Sequence, residues 1–250
     1  MSHDFLSPDA ATPEGDFTPV ARSSMARSAK AAGARFEVRD GWEVAVAYST
    51  PESEAATCST SVGWVDTSHL GKLELQAAPE DLAAIVAQCA GGAQLELGCA
   101  TRAADAWWCP MTPERALVIA EPAVLGALRE RLEEAVTAAP GAAGVIEVTT
   151  NYGALTLVGP EARELFARFC ALDLRPSVTP VRGLRPGSVA RGPGVVLREG
   201  EDRFLMLFGW ALGQYVWTVV SDAGQHLGGS PVGADALQAV GIASEEASHA

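Results

Sequence analysis

Two stretches of this chain, 82 residues apart, read as copies of each other, and a repeat of that length restricts the fold to two related units in tandem. DTSHLGKLELQ, starting at Asp66, lies over VTTNYGALTLV, starting at Val148, so that Gly71, Leu73 and Leu75 fall on Gly153, Leu155 and Leu157. After a one-residue gap, Pro79, Glu80 and Cys89 fall on Pro160, Glu161 and Cys170. Each copy starts with the period-2 alternation of a half-buried strand and passes through Pro-Glu into helical spacing, with Leu82, Ile85 and Val86 as one apolar stripe and Leu165, Phe166 and Phe169 as the other. Further on, ERALVI from Glu114 matches DRFLML from Asp202 at an offset of 88, and each is followed by a second predicted helix, 123–135 and 211–223.

Strand and helix alternating twice in this order predicts an α+β chain of two ferredoxin-like half-domains packed together. The joint falls at PGAAG from Pro140, where Pro and Gly interrupt both helix and strand. The expected organisation is therefore a flexible arm over 1–30, a first half over 31–140, a second over 141–242 and a tail over 243–250. The arm is rich in Pro, Ser, Ala and Asp without periodicity, and its Ala-rich end is able to become helical on the body. A chain of 250 residues with 48% hydrophobic content has enough apolar side chains for such cores.

Composition narrows the partners. A formal charge of −13 opposes contact with phosphate backbones, so nucleic acid is not expected. No run approaches the ~18 apolar residues of a membrane span, and the first thirty residues lack the apolar centre of a secretory signal. The expectation is a cytoplasmic protein with no membrane partner. Cys58, Cys89, Cys99, Cys109 and Cys170 are odd in number and show no zinc spacing, and His3, His69, His226 and His249 are scattered. Buried free thiols and no metal are the expected outcome. Arg175, Arg182, Arg185, Arg191 and Arg198 gather in one stretch and read as a solvated loop.

Catalytic motifs are few. The Gly-rich segments around Gly91, Gly183 and Gly192 form neither a phosphate loop nor a dinucleotide fingerprint, and there is no nucleophile elbow. Asp105 precedes the apolar run AWWC, where a carboxylate would be partly desolvated and able to act as acid, base or partner of an amine; the alternative is an exposed Asp at a strand entry. Trp107 and Trp108 are neighbours and on a strand would face opposite sides, one into the core and one over a cleft or interface. Trp210, Tyr215 and Trp217 fit a helix face.

GARFEVRDGWEV from Gly33, followed by Tyr48-Ser49 and then VDTSHLGK from Val65, resembles the glycine-cleavage T-protein, the tetrahydrofolate-dependent aminomethyltransferase. LTLVGPEAR from Leu155 through CALDLRP from Cys170 is similar to the gamma subunit of heterotetrameric sarcosine oxidase, in the same superfamily. The resemblance covers about 30–245. It implies the folate-binding fold of the aminomethyltransferase family, without its C-terminal barrel, and a central cleft holding a small-molecule ligand in one-carbon metabolism. It also implies Asp105 as the catalytic acid and Tyr48, Trp108, Cys109 and Leu205 at cofactor-binding positions. Cys109 stands where the family has Tyr, Leu205 where it has the Glu that holds the pterin, and Leu237 and Gly241 where it has two arginines. Losing that carboxylate removes two charge-assisted hydrogen bonds of about 1.5–3 kcal/mol each, so tetrahydrofolate should be held weakly. Three functions follow: an accessory subunit that partners flavin oxidase subunits, a one-carbon transferase or demethylase using Asp105, or an enzyme that reuses the cleft for another small molecule.

Overall fold

A computed structural model describes residues 19–240 as four layers, helices, sheet, sheet and helices. The first sheet comes from β5 (Gly71–Ala77), α3 (Pro79–Cys89), β6 (Thr101–Ala103), β7 (Ala106–Thr112), β8 (Arg115–Ala120), α4 (Pro122–Ala138) and β9 (Ala143–Glu147). Its order is β6-β7-β8-β5-β9, antiparallel throughout. The second comes from β10 (Tyr152–Val158), α5 (Ala162–Ala167), β11 (Leu184–Val189), β12 (Gly192–Gly200), β13 (Arg203–Gly209) and α6 (Gly213–Gln225). Two short strands, β4 (Gly63–Asp66) and β14 (Ser230–Pro231), complete the order β11-β12-β13-β10-β4-β14.

Strand alternation builds the layers. Leu73, Leu75, Trp108 and Val118 meet Leu82, Ile85, Leu128 and Leu132 of α3 and α4. The opposite face of that sheet, with Cys109, Leu117 and Ile119, packs on Leu197, Leu205 and Leu207 of the second sheet. The far side of the second sheet, with Leu155, Leu157, Phe204 and Met206, packs on Leu165, Phe166, Val216 and Val220. The repeat extends to strand register: Leu73 lies opposite Val118 and Leu155 opposite Met206, pairs that the 82- and 88-residue offsets superimpose.

The two glycines of the repeat sit at close approaches. A Cβ on Gly71 would come within 2.4 Å of Leu125, and one on Gly153 within 2.5 Å of the Phe208 ring. Phe208 is buried and has no room to move, so Gly153→Ala is expected to lower stability by about 1–3 kcal/mol in urea denaturation. Gly126→Ala, on α4 with nothing within 4 Å of the new methyl, should instead raise stability by about 0.4–1 kcal/mol. Equal effects of the two changes would sink the packing argument.

Three expectations need correction. Residues 19–30 are not a loose arm: β1 (Ala21–Arg22) pairs with β3 (Trp42–Ala47), and the Ala-rich end forms α1 (Ala26–Ala31) on the body, as expected, with Met25 and Ala29 fully buried. β3 also pairs with β2 (Arg35–Arg39), making a third, small sheet. Residues 1–18 and 241–250, which include Gly241 and the expected tail, lie outside the described residues. A cut at 140 does not separate the two sheets, because β4, from the first stretch, pairs with β10. Nor is Arg198 solvated. It is 1% exposed, and its guanidinium donates to the carbonyls of Thr179 (3.0 Å) and Glu201 (2.8 Å). Of the cysteines, Cys58, Cys89 and Cys109 are buried free thiols, while Cys99 and Cys170 are half-buried. Among the described residues no helix is long and apolar enough to cross a membrane.

Candidate functional site

A cleft of about 850 Å³ opens between the two sheets. The first sheet contributes Arg102, Trp107 and Ile119, with Glu121 at the start of α4. Across from them lie Thr156 and Val158 of β10 and the 199–203 turn, which carries Glu199 and Arg203. The segment after β4 adds Thr67, His69 and Leu70. Cys58 of α2 (Pro51–Thr60) and Leu237 and Gln238 of a helix over 234–240 complete the wall.

The 66–72 segment is held by buried polar contacts. Asp66 Oδ1 accepts from the Ser68 amide (3.0 Å), the Thr67 amide donates to the Ala154 carbonyl (3.0 Å), and Ser68 Oγ accepts from the Ala154 amide (3.0 Å). Lys72 is fully buried, and its Nζ donates to the carbonyls of Ser68 (2.9 Å) and Leu70 (2.7 Å). Burial pushes the Lys72 ammonium down to about 7, with Asp66 opposing the shift. Burial raises the Asp66 carboxyl, partly offset by the Ser23 and Ser68 hydroxyls. The His69 imidazole falls to about 4 through burial, reinforced by Lys72 and Arg39, so it is neutral at pH 7 and available as donor or acceptor.

Charge in the cleft is balanced across the halves. Arg203 Nε lies 3.0 Å from Glu199 Oε2, and the Arg102 guanidinium sits 5.4 Å from the Trp107 ring centroid. Glu121 is an exposed residue whose carboxyl borders the cleft; desolvation raises that carboxyl, and Arg102 and Arg203 oppose the rise. Guanidiniums, carboxylates, a neutral imidazole and an indole face equip the cleft to bind a polar small molecule and to move a proton. The Cys58 thiol is pushed up to about 11 by burial and is no nucleophile at neutral pH. Among the described residues no group of three His, Cys, Asp or Glu is placed to hold a metal.

The residues singled out from the sequence are not gathered here. Asp105 is exposed and absent from the cleft lining, so the expected desolvation is not present. The reason is local: Ala104 (φ 49°) and Asp105 (φ 60°) form the two-residue turn between β6 and β7, which directs Asp105 away from the apolar strand. Trp108 is buried in the helix-facing core with its Nε1 donating to the Ala103 carbonyl (3.0 Å), and its neighbour Trp107 faces the cleft. Tyr48 stacks on Trp217 with centroids 6.3 Å apart, and its buried hydroxyl has no partner among the described residues. Cys109 and Leu205 come together in the layer between the sheets, around an apolar gap too small for a water molecule. His69, Arg102, Glu121, Glu199 and Arg203 were missed. The one local signal was His69 inside the VDTSHLGK run; the rest converge only in three dimensions.

The profile of the GCVT N-terminal domain matches residues 25–244. The chain is 28% identical over 218 residues to an aminomethyltransferase of Saccharopolyspora erythraea, an alignment covering 82% of this chain and 58% of that protein. It therefore spans little more than half the length of that curated relative. The fold is similar to glycine cleavage system aminomethyltransferase T from Bartonella henselae (TM-score 0.73, 16% identity, 87% of this chain and 60% of that one). It is similar as well to a chain of heterotetrameric sarcosine oxidase from Corynebacterium sp. U-96 (TM-score 0.65, 21% identity, 85% and 98%). With most of its length matched by one domain profile, the chain belongs to the GCVT N-terminal domain family of the folate-binding aminomethyltransferase superfamily.

Proposed function

We propose that this chain is a sarcosine-oxidase-gamma-like accessory subunit of N-methyl amine metabolism in the cytoplasm. It is built from two ferredoxin-like halves, keeps the fold of the aminomethyltransferases and lends surface to flavin oxidase subunits. One observation carries the reading. Leu205 and Cys109, the positions at which the family resemblance puts pterin contacts, lie in an apolar layer with no room for a water molecule and no polar side chain beyond the weakly bonding Cys109 thiol. Burying a pterin there would leave its polar edge unpaired, at about 1–3 kcal/mol per group.

Thermal unfolding with tetrahydrofolate tests this. A ligand at a hundred times its Kd adds about 2.7 kcal/mol and raises Tm by several degrees. The expected result is no rise; a clear rise would remove the degenerate-pocket reading.

A second reading, a transferase or an enzyme acting on another small molecule, draws on the open cleft, since Arg102 and Trp107 line it from the same hairpin that carries Asp105. In that case tetrahydrofolate, or an N-methyl amine, would stabilise the fold, and Arg102→Ala in the cleft wall would weaken that stabilisation more than Asp105→Asn in the exposed turn.

A further inference from the structure

Residues 174–198 hold five arginines and no carboxylate, in a chain of formal charge −13. The structure uses most of that charge internally. Arg198 is buried on carbonyls, Arg185 donates to the carbonyls of Gly98 (2.9 Å) and Leu184 (2.9 Å), and Arg175 pairs with Asp173. Arg182 and Arg191 are exposed and have no ion pair among the described residues.

Around Arg182 the surface is apolar. Val178 (39% exposed) and Val181 (41%) come from the loop before β11, and Leu97 (57%) from the loop before β6. The two loops belong to different sheets, yet they are zipped together: the Ala100 amide donates to the Arg182 carbonyl (2.7 Å) and the Leu184 amide to the Gly98 carbonyl (2.9 Å). Arg198, beneath, fixes the Thr179 carbonyl (3.0 Å). Arg182 is also held at φ 69°, a conformation uncommon for its type. Three large aliphatic side chains are therefore presented on backbone already ordered, which removes much of the entropy loss of association.

We infer that the 94–100 and 175–185 loops form the docking face for a partner protein whose contact surface is apolar at its centre and acidic at its rim. The choice of partner follows from charge. The rest of this chain repels an acidic surface, so such a partner is best admitted where carboxylates are few and an unpaired guanidinium stands out, and Arg182 sits there. Glu96 and Asp173, the latter paired with Arg175, are exposed carboxylates at this edge and mark two sides of the rim. Nucleic acid fits poorly, because Arg182 and Arg191 lie at opposite ends of β11, about 20 Å apart, with aliphatic surface beside the first of them. This inference rests on the accessory-subunit reading and names the face that reading needs.

The test uses the full chain, tagged and expressed in its own host, with photo-crosslinking residues at Leu97 and Val181. The expected result is one stoichiometric protein adduct at both positions, mapped to a partner segment with Asp or Glu beside apolar side chains. Val181→Asp combined with Arg182→Glu, and separately Leu97→Asp, should reduce retention of that partner by about tenfold or more. Ile146→Asp, exposed at the β9 edge, should leave it unchanged, and the melting temperature of each variant shows whether the fold is intact. A partner retained equally by the loop variants overturns this inference alone. Adducts to nucleic acid overturn it as well. No partner on wild-type protein, together with stabilisation by tetrahydrofolate, overturns the accessory reading and the inference together.

Discussion

Glu54→Ala is expected to lower stability by about 2–4 kcal/mol, because the buried Gly233 amide and the part-buried amides of Tyr48 and Ser49 would lose their acceptor among the described residues. Glu54 is 3% exposed on α2. Its Oε1 accepts from the amides of Tyr48 (2.5 Å) and Ser49 (2.8 Å), and its Oε2 from the amide of Gly233 (2.7 Å). One carboxylate thus ties the end of β3 and the start of the 234–240 helix to α2. Gly233 has no freedom to compensate, since a Cβ there would meet the Val46 carbonyl oxygen at 1.9 Å. Glu54→Gln keeps one acceptor oxygen and turns an NH2 toward a donor, so an intermediate loss is expected. Chemical denaturation measures both. Amide exchange should accelerate first over 233–240 in the alanine variant, opening the side of the cleft lined by Leu237 and Gln238. A loss below about 1 kcal/mol for Glu54→Ala would mean that water satisfies those amides and that Glu54 is not the anchor.

That anchor explains why α2 escapes a reading by hydrophobic periodicity. Its buried side chains are Glu54 and Cys58, so it has almost no apolar stripe; hydrogen bonds rather than packing hold it. The local start signal was present in Thr50-Pro51, where the Thr50 hydroxyl caps the helix by accepting from the Ser53 amide. β4 is silent for a different reason. Gly63, Trp64, Val65 and Asp66 are all buried, so the strand shows no alternation, and its partner β10 lies almost ninety residues away. β5, β8, β10 and β13 are also buried along most of their length, but they were legible because each leads into a helix and the repeat superimposes the two pairs in one register.

The site was legible only where one strand decides the matter. The alternation of Trp107 and Trp108 sends one indole to the cleft and the other to the core. Leu205 and Cys109, read as apolar replacements of polar positions, do share one layer. Asp105 was obscured by its turn, since Ala104-Asp105 lacks the Gly or Asn that usually marks two left-handed residues. The pairing of Glu199 with Arg203 could be guessed from a tight hairpin, but its meeting with Glu121 and Arg102 needs the two sheets stacked.

Lys72 offers the sharpest single-group test, because the chain has two lysines, Lys30 and Lys72, and labelled lysine side chains would give two resonances. The Lys72 signal is expected to titrate near pH 7, with burial as the cause. In the unfolded chain the amine titrates at its ordinary 10.5, so between about 7 and 10.5 the unfolded state binds a proton that the folded state does not. Stability contributed by this group therefore rises with pH across that window, by about 1.4 kcal/mol per unit, or roughly 2–3 kcal/mol from pH 7 to 9. Asp66 acts in the opposite sense and from lower pH, since its raised carboxyl makes the folded state bind the extra proton above 3.8. Lys72→Met removes the rise and leaves the Ser68 and Leu70 carbonyls without their donor. At pH 9 the variant should be the less stable protein, by about 1–3 kcal/mol, and at pH 6, where wild type must bury a cation, the gap should close. A Lys72 resonance still protonated at pH 9, with parallel pH profiles for the two proteins, would show that Asp66 holds the ammonium as a stable buried ion.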